Sequence, residues 1–142
     1  MSAPDNIVKF NEVTGVILAS LYESFPVKKS FEVTSLFPET AVEPSDKSII
    51  NHEAIFVTSA TEWLFQTGYI SVNKINFGHS VRDAVLTAKG LELLKLTPDA
   101  IGPSFGDKLL EATKSGMKDT IVNVSSAVLT SGISLLYKTL GS

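Results

Sequence analysis

A hydroxyl, an imidazole and a carboxylate stand close together at His79, Ser80 and Asp83, the residue types that make a nucleophile, its general base and an orienting acid. Their neighbours decide against that chemistry. The segment "NFGHSVRD" falls at the tip of a predicted hairpin, which is open to water and offers no pocket or oxyanion hole, so the trio reads as a polar turn. The other histidine, His52, has no partner at metal-ligand spacing. With no cysteine there is no thiol nucleophile, thiolate site or disulfide framework. The nine glycines are scattered rather than gathered into a phosphate-cradling loop. The sequence therefore predicts a protein that is not an enzyme and carries no cofactor and no metal.

Charge narrows the binding chemistry. A formal net charge of -3 provides no general attraction to phosphate backbones, so nucleic-acid binding would need a local basic patch. The candidates are Lys28 and Lys29 before the second predicted helix, Lys47, and Lys74 and Arg82 on the hairpin. Arg82 is the sole arginine, and arginine is the side chain best suited to a bidentate hold on phosphate or guanine. The third predicted helix, residues 51–67, has neither Lys nor Arg; it carries Glu53 and Glu62, with Asn51, His52, Ser59, Thr61 and Gln66 as polar groups.

The elements that must hold these residues follow from periodicity and punctuation. Phe10, Val13, Ile17, Leu21 and Phe25 recur at helical spacing, and Pro26 ends that helix. Ser30 is the expected N-cap of a short helix carrying Phe31, Leu36 and Phe37, stopped by Pro38. A polar, acidic loop is expected from Pro38 to Ser48. In the third helix, Asn51 is the expected cap, Gly68 the terminator, and Ile55, Phe56, Ala60, Trp63 and Leu64 the core face, so Trp63 and the phenylalanines read as packing residues rather than a stacking platform. Tyr69 to Phe77 and Val81 to Leu86 alternate as the strands of a hairpin turning at Gly78, and Thr87 caps a fourth helix that Pro98 closes.

This order, with "LFQTGYI" and "LTAKG", resembles the winged-helix superfamily over residues 10–96. Gly68, Tyr69 and Ile70 match the Gly and aromatic or apolar pair that lead into the wing, and Leu86, Thr87, Gly90 and Leu94 match the "LTxxGxxxL" pattern after it. The resemblance implies a mainly α fold with a small antiparallel β-hairpin, and a third helix that often lies in the DNA major groove with a basic wing on phosphates. The acidic loop and the Lys/Arg-free third helix depart from that pattern.

The domain organisation expected is a winged-helix-like unit over 1–97, a Pro/Gly linker over 98–106, and a long amphipathic helix over 107–142, where Ser104 and Asp107 suggest a capping box. Met117, Ile121, Val124 and Val128 form one stripe of that helix, and Val122, Leu129, Ile133 and Leu136 an adjoining one. Together they cover about half the circumference, more than the roughly 100° that docks a helix on one core. No charge occurs between Thr120 and Tyr137. The stripe could fold onto its own domain, meet another helix in a homo-oligomer or partner protein, or lie on a membrane. These eight residues are the candidate interface. The leading expectation is a cytoplasmic winged-helix adaptor or regulator that works by protein contact and self-associates through this helix. "MSAPDNIVKF" has no basic stretch followed by an apolar run, so no secretory signal is expected. The alternatives are a dimeric DNA-binding transcription regulator and a membrane-associating protein.

Overall fold

The computed structural model describes residues 4–40, 51–98 and 102–140, the side chains of 135–140 excepted. The chain is mainly α with a small antiparallel sheet and a long C-terminal helix. Lys47, most of the acidic loop and the side chain of Leu136 lie outside the described residues.

Helix α1 (Asp5–Ser24) begins well before Phe10, because the Pro4 carbonyl accepts from the N–H groups of Ile7 and Val8, and Asp5 adds a carboxylate where the helix dipole favours one. Its inner face buries Ile17, Leu18 and Leu21 completely. At about 1.5–3 kcal/mol for each such side chain, these residues supply an amount comparable with the net stability of a whole domain.

The sequence expected Ser30 to cap a helix; instead Lys29–Glu32 is a strand, β1, and the helix after it, α2 (Val33–Leu36), is a single turn. Phe31 explains the difference. It is the buried residue of β1 and pairs with Val81 of β4 (Ser80–Leu86), the central strand. Strands β2 (Ile70–Ser71) and β3 (Lys74–Asn76) pair with β4 from its other side in one continuous register, from Ile70 opposite Leu86 to Asn76 opposite Ser80. Asp83, at φ +55°, interrupts β4 as a bulge, and its N–H donates to the Ser30 hydroxyl at 2.9 Å. The hairpin turns at Gly78 (φ +78°), and the Gly78 N–H donates to Thr58 Oγ1 of α3 (His52–Gln66) at 3.1 Å, which ties the tip to that helix.

Helix α3 is capped by Asn51, whose side chain accepts from the Ala54 N–H, and Thr87 caps α4 (Ala88–Lys95) through the Gly90 N–H. Both caps match the sequence reading. The core face of α3 matches in part, since Ala60 and Leu64 are buried and Phe56 packs half-buried against the core. Ala54, Val57, Thr58, Thr61 and Leu64 point inward, while Ile55 and Trp63 are 38% and 41% exposed. The two buried threonines are accommodated because their hydroxyls donate to helix carbonyls, Thr61 to Val57 at 2.9 Å and Thr58 to Ala54 at 3.1 Å. Small residues inward let α1 and the hairpin approach closely, and the larger aromatic residues are turned outward.

The long C-terminal helix is two helices. Ser104 accepts from the Asp107 N–H and opens α5 (Phe105–Ser115), which starts within the segment expected to be linker. Gly116, at φ +70°, closes it as a left-handed terminator. Helix α6 (Lys118–Leu140) then crosses α1 so closely that a Cβ on Gly15 would collide with Ser125 Oγ and Ile121. Ile121 and Val128 are therefore buried in the chain's own core and cannot meet a partner, and Val124 and Leu129 pack half-buried against it. Val122 is half-buried; Met117 and Ile133 are 52% and 56% exposed. Exposed ion pairs, Lys114 with Glu23 at 3.0 Å and Lys118 with Glu12 at 3.9 Å, contribute little beside this packing.

The crossing predicts opposite effects at its two residues. Gly15→Ala overpacks it and should lower unfolding free energy by about 1–3 kcal/mol. Ser125 Oγ is buried with no hydrogen-bond partner, so Ser125→Ala should raise stability by about 1 kcal/mol. Urea denaturation of both variants checks the pair.

Candidate docking groove

The outward turn of α3 creates a groove against α1. Asn6, Ile7 and Phe10 form one wall, and Phe56, Ser59, Ala60 and Trp63 the other, enclosing about 430 Å³. Phe10 meets Trp63 edge-on, with centroids 5.2 Å apart and planes at 88°, and Trp63 stacks on Tyr69 at 6.0 Å. The set is held from outside as well. Lys9 pairs with Glu53 and lies 4.8 Å over the Phe56 ring, while Lys89 lies 4.3 Å over Tyr69 and donates to the Thr67 carbonyl at 3.0 Å. On the other flank of α3, Phe65 and Phe77 are 45% and 49% exposed beside a cleft of about 240 Å³ shared with Glu62, Val72, Lys74 and Ile75. Apolar surface thus borders α3 on both sides.

The basic candidates are brought partly together. Lys74 lies opposite Arg82 across the hairpin, and Lys29 and Arg82 line one cleft with Glu32. Glu32 weakens the patch, because its Oε1 accepts from Arg82 Nη2 at 2.9 Å and neutralises the sole arginine. Lys28 is exposed on the loop leading into β1. No lysine or arginine projects from α3, where Glu53 and Glu62 carry the charge.

The hairpin trio is held through the His79 backbone and the Ser80 and Asp83 side chains. The His79 N–H donates to the Asn76 carbonyl, the Ser80 hydroxyl accepts from Asn76 Nδ2 at 2.9 Å, and Asp83 Oδ2 accepts from Asn73 Nδ2 at 3.3 Å. His52 is exposed at the start of α3. Among the described residues no group of His, Asp or Glu side chains could hold a metal ion, and no helix is long and apolar enough to cross a membrane.

Sequence reasoning missed Ile7 because it began α1 at Phe10, although Pro4 and Asp5 are helix-start signals. It missed the groove because it placed Trp63 in the core, whereas Phe56 packs against the core and lines the groove as well. Compared with known protein families, curated proteins and solved structures, the chain matches none, so the chemistry of its surface carries the functional reading.

Tyr69 gives the site a pH signature. Burial against α3 and under Gly132 of α6 raises its phenol above the usual value of 10.0, since the charged form would lose its water. The folded state therefore favours the neutral form. Its contribution to stability is complete below the ordinary tyrosine range and is lost as pH rises through the raised value. Tyr69→Phe should flatten that alkaline decline relative to the parent chain, measured as denaturation midpoints from neutral to strongly alkaline pH.

Proposed function

We propose that this protein is a non-enzymatic adaptor or regulator that acts by protein contact, with a winged-helix-like unit as the scaffold and the α1–α3 groove as the contact surface. The observation that carries the reading is the outward face of α3. It presents Ile55, Trp63 and Phe65, with Phe56 half-buried beside them, together with Glu53 and Glu62 and without a cation. Phosphates would meet carboxylates there, whereas exposed aromatic residues around a concave apolar surface favour protein recognition. Helices α1, α2 and α3, the hairpin and α4 follow one another in the order that the resemblance to winged helices implies, with strand β1 as an addition to it, which supports the scaffold part of the proposal. A reducing, cytoplasmic setting belongs to the same reading, because a chain without cysteine needs no oxidising compartment to fold.

Self-association through the C-terminal helix loses much of its basis, since Ile121 and Val128 are used within the chain. A second reading, duplex DNA binding through Lys28, Lys29, Lys74 and Arg82, draws on Lys74 lying opposite Arg82 and on the cleft that Lys29 shares with Arg82, and is weakened by the Arg82–Glu32 pair.

A photo-cross-linker at exposed Ser59, used in the expressing cell, separates the readings. Protein adducts are expected, and Phe56→Asp should reduce their yield on the order of 30-fold, the equivalent of about 2 kcal/mol for a central contact residue. Nucleic-acid adducts that persist in Phe56→Asp and vanish in Lys74→Glu with Arg82→Glu would replace the protein-contact reading with the duplex one.

A further inference from the structure

We infer that the occupant of the α1–α3 groove is an amphipathic helix of another protein whose apolar face is bordered by lysine or arginine. The inference rests on the docking reading above and adds the shape and charge of the partner. Shape comes from the walls. Both are helices whose backbone groups are bonded internally, so the groove offers no sheet edge to which an extended peptide could add. Phe56 and Trp63 are separated along α3 by roughly 10 Å, or two helical turns, at the helical rise. That span matches the i, i+3, i+4 and i+7 side chains of a helix laid between two others by ridge-into-groove packing.

Charge comes from the clefts beside the groove, whose own lining is uncharged. Across the α1–α3 seam, Asp5, Glu12, Glu39 and Glu53 line an adjoining pocket of about 330 Å³ with Lys9 and Lys118 as counter-charges, and on the other flank of α3 Glu62 shares a cleft with Lys74. Lys9 is engaged by Glu53 and the Phe56 ring. Lys118 lies 3.9 Å from Glu12. Lys89, at the far end of the aromatic row, is engaged by Tyr69 and Thr67. Counting Asp5, Glu12, Glu39, Glu53 and Glu62 against Lys9, Lys118, Lys89 and Lys74, the surroundings of the groove are net acidic by a single charge, in a chain that is itself net negative. A second copy would bring the same carboxylates against themselves across a two-fold contact, and nucleic acid or an anionic lipid surface would be repelled in the same way. A helix with a basic border is the complementary occupant.

The test is selection from a displayed library of helical peptides with apolar residues fixed at i, i+3, i+4 and i+7 and all flanking positions randomised, using the full chain as bait. Ser59→Arg serves as the blocked control, because Ser59 is exposed and its replacement leaves the core untouched. The expected result is enrichment of Lys and Arg at the flanks, lost on Ser59→Arg, with binding of the selected peptides weakened several-fold by Glu62→Lys and by added salt. Enrichment that depends on Ser59 but selects neutral or acidic flanks overturns the charge assignment and leaves the docking reading standing. No enrichment that distinguishes the parent chain from Ser59→Arg overturns the docking reading itself. A concentration-dependent dimer that Ser59→Arg dissociates overturns the inference in favour of a second copy.

Discussion

The close crossing of α1 and α6 at Gly15 and Ser125 is the contact on which the remaining arrangement depends. Helix α1 is the element that every layer shares: it supplies Ile17, Leu18 and Leu21 to the core, carries α5 and α6 on one side, and presents Ile7 and Phe10 to the groove on another. Its position is set by how near α6 can come. A side chain at position 15 would hold the helices apart and expose Ile121, so the hydrogen side chain of glycine and the small serine opposite it set the interhelical distance. The same contact determines where an interface can be. Ile121 and Val128 are covered within the chain, and among the described residues α1 and α3 expose Ile7, Val8, Ile55, Trp63 and Phe65, while Met117 and Ile133 stay exposed at either end of their buried neighbours.

That surface is connected to the fold beneath it. Phe10, Trp63 and Tyr69 form a row running from the groove inward, with Lys89 over the last ring and Gly132 of α6 beneath its hydroxyl. Tyr69 also accepts from Thr87 through its carbonyl, so the end of α3, the start of α4 and the second half of α6 meet at one residue. Aromatic rings packed in this way have few alternative rotamers, and a groove lined by them is ready-formed rather than assembled on contact. The electrostatics are consistent with this use. Carboxylates outnumber lysines in the clefts beside the groove, and the sole arginine is paired with Glu32 elsewhere.

Much of the scaffold was legible in the sequence because its signals are local. Asn51, Thr87 and Ser104 cap the helices that they were expected to cap, and Gly78 turns the hairpin. The misread parts depend on partners distant in the chain. Strand β1 buries only Phe31, too little for an alternation to register, and exists because β4 lies beside it. Gly116 between Lys114 and Asp119 was a readable stop and restart signal, but a continuous apolar stripe overrode it. Helix α3 carried two usable faces, and hydrophobicity alone selects the one with Trp63. The fold selects the one with Thr58 and Thr61, because those residues allow close approach and can satisfy their hydroxyls on the helix itself. The groove follows from that rotation and so could not be read before it.

The chain has one tryptophan, and it sits at the centre of this account. The most direct measurement is the emission maximum of Trp63 and its quenching by acrylamide in the dilute full-length protein. A half-exposed indole in an open groove should emit at intermediate wavelength and be quenched readily, with no change on further dilution. A blue-shifted emission that acrylamide barely reaches would place Trp63 in the core, or under another surface, and would contradict the outward rotation of α3 from which the docking groove is derived.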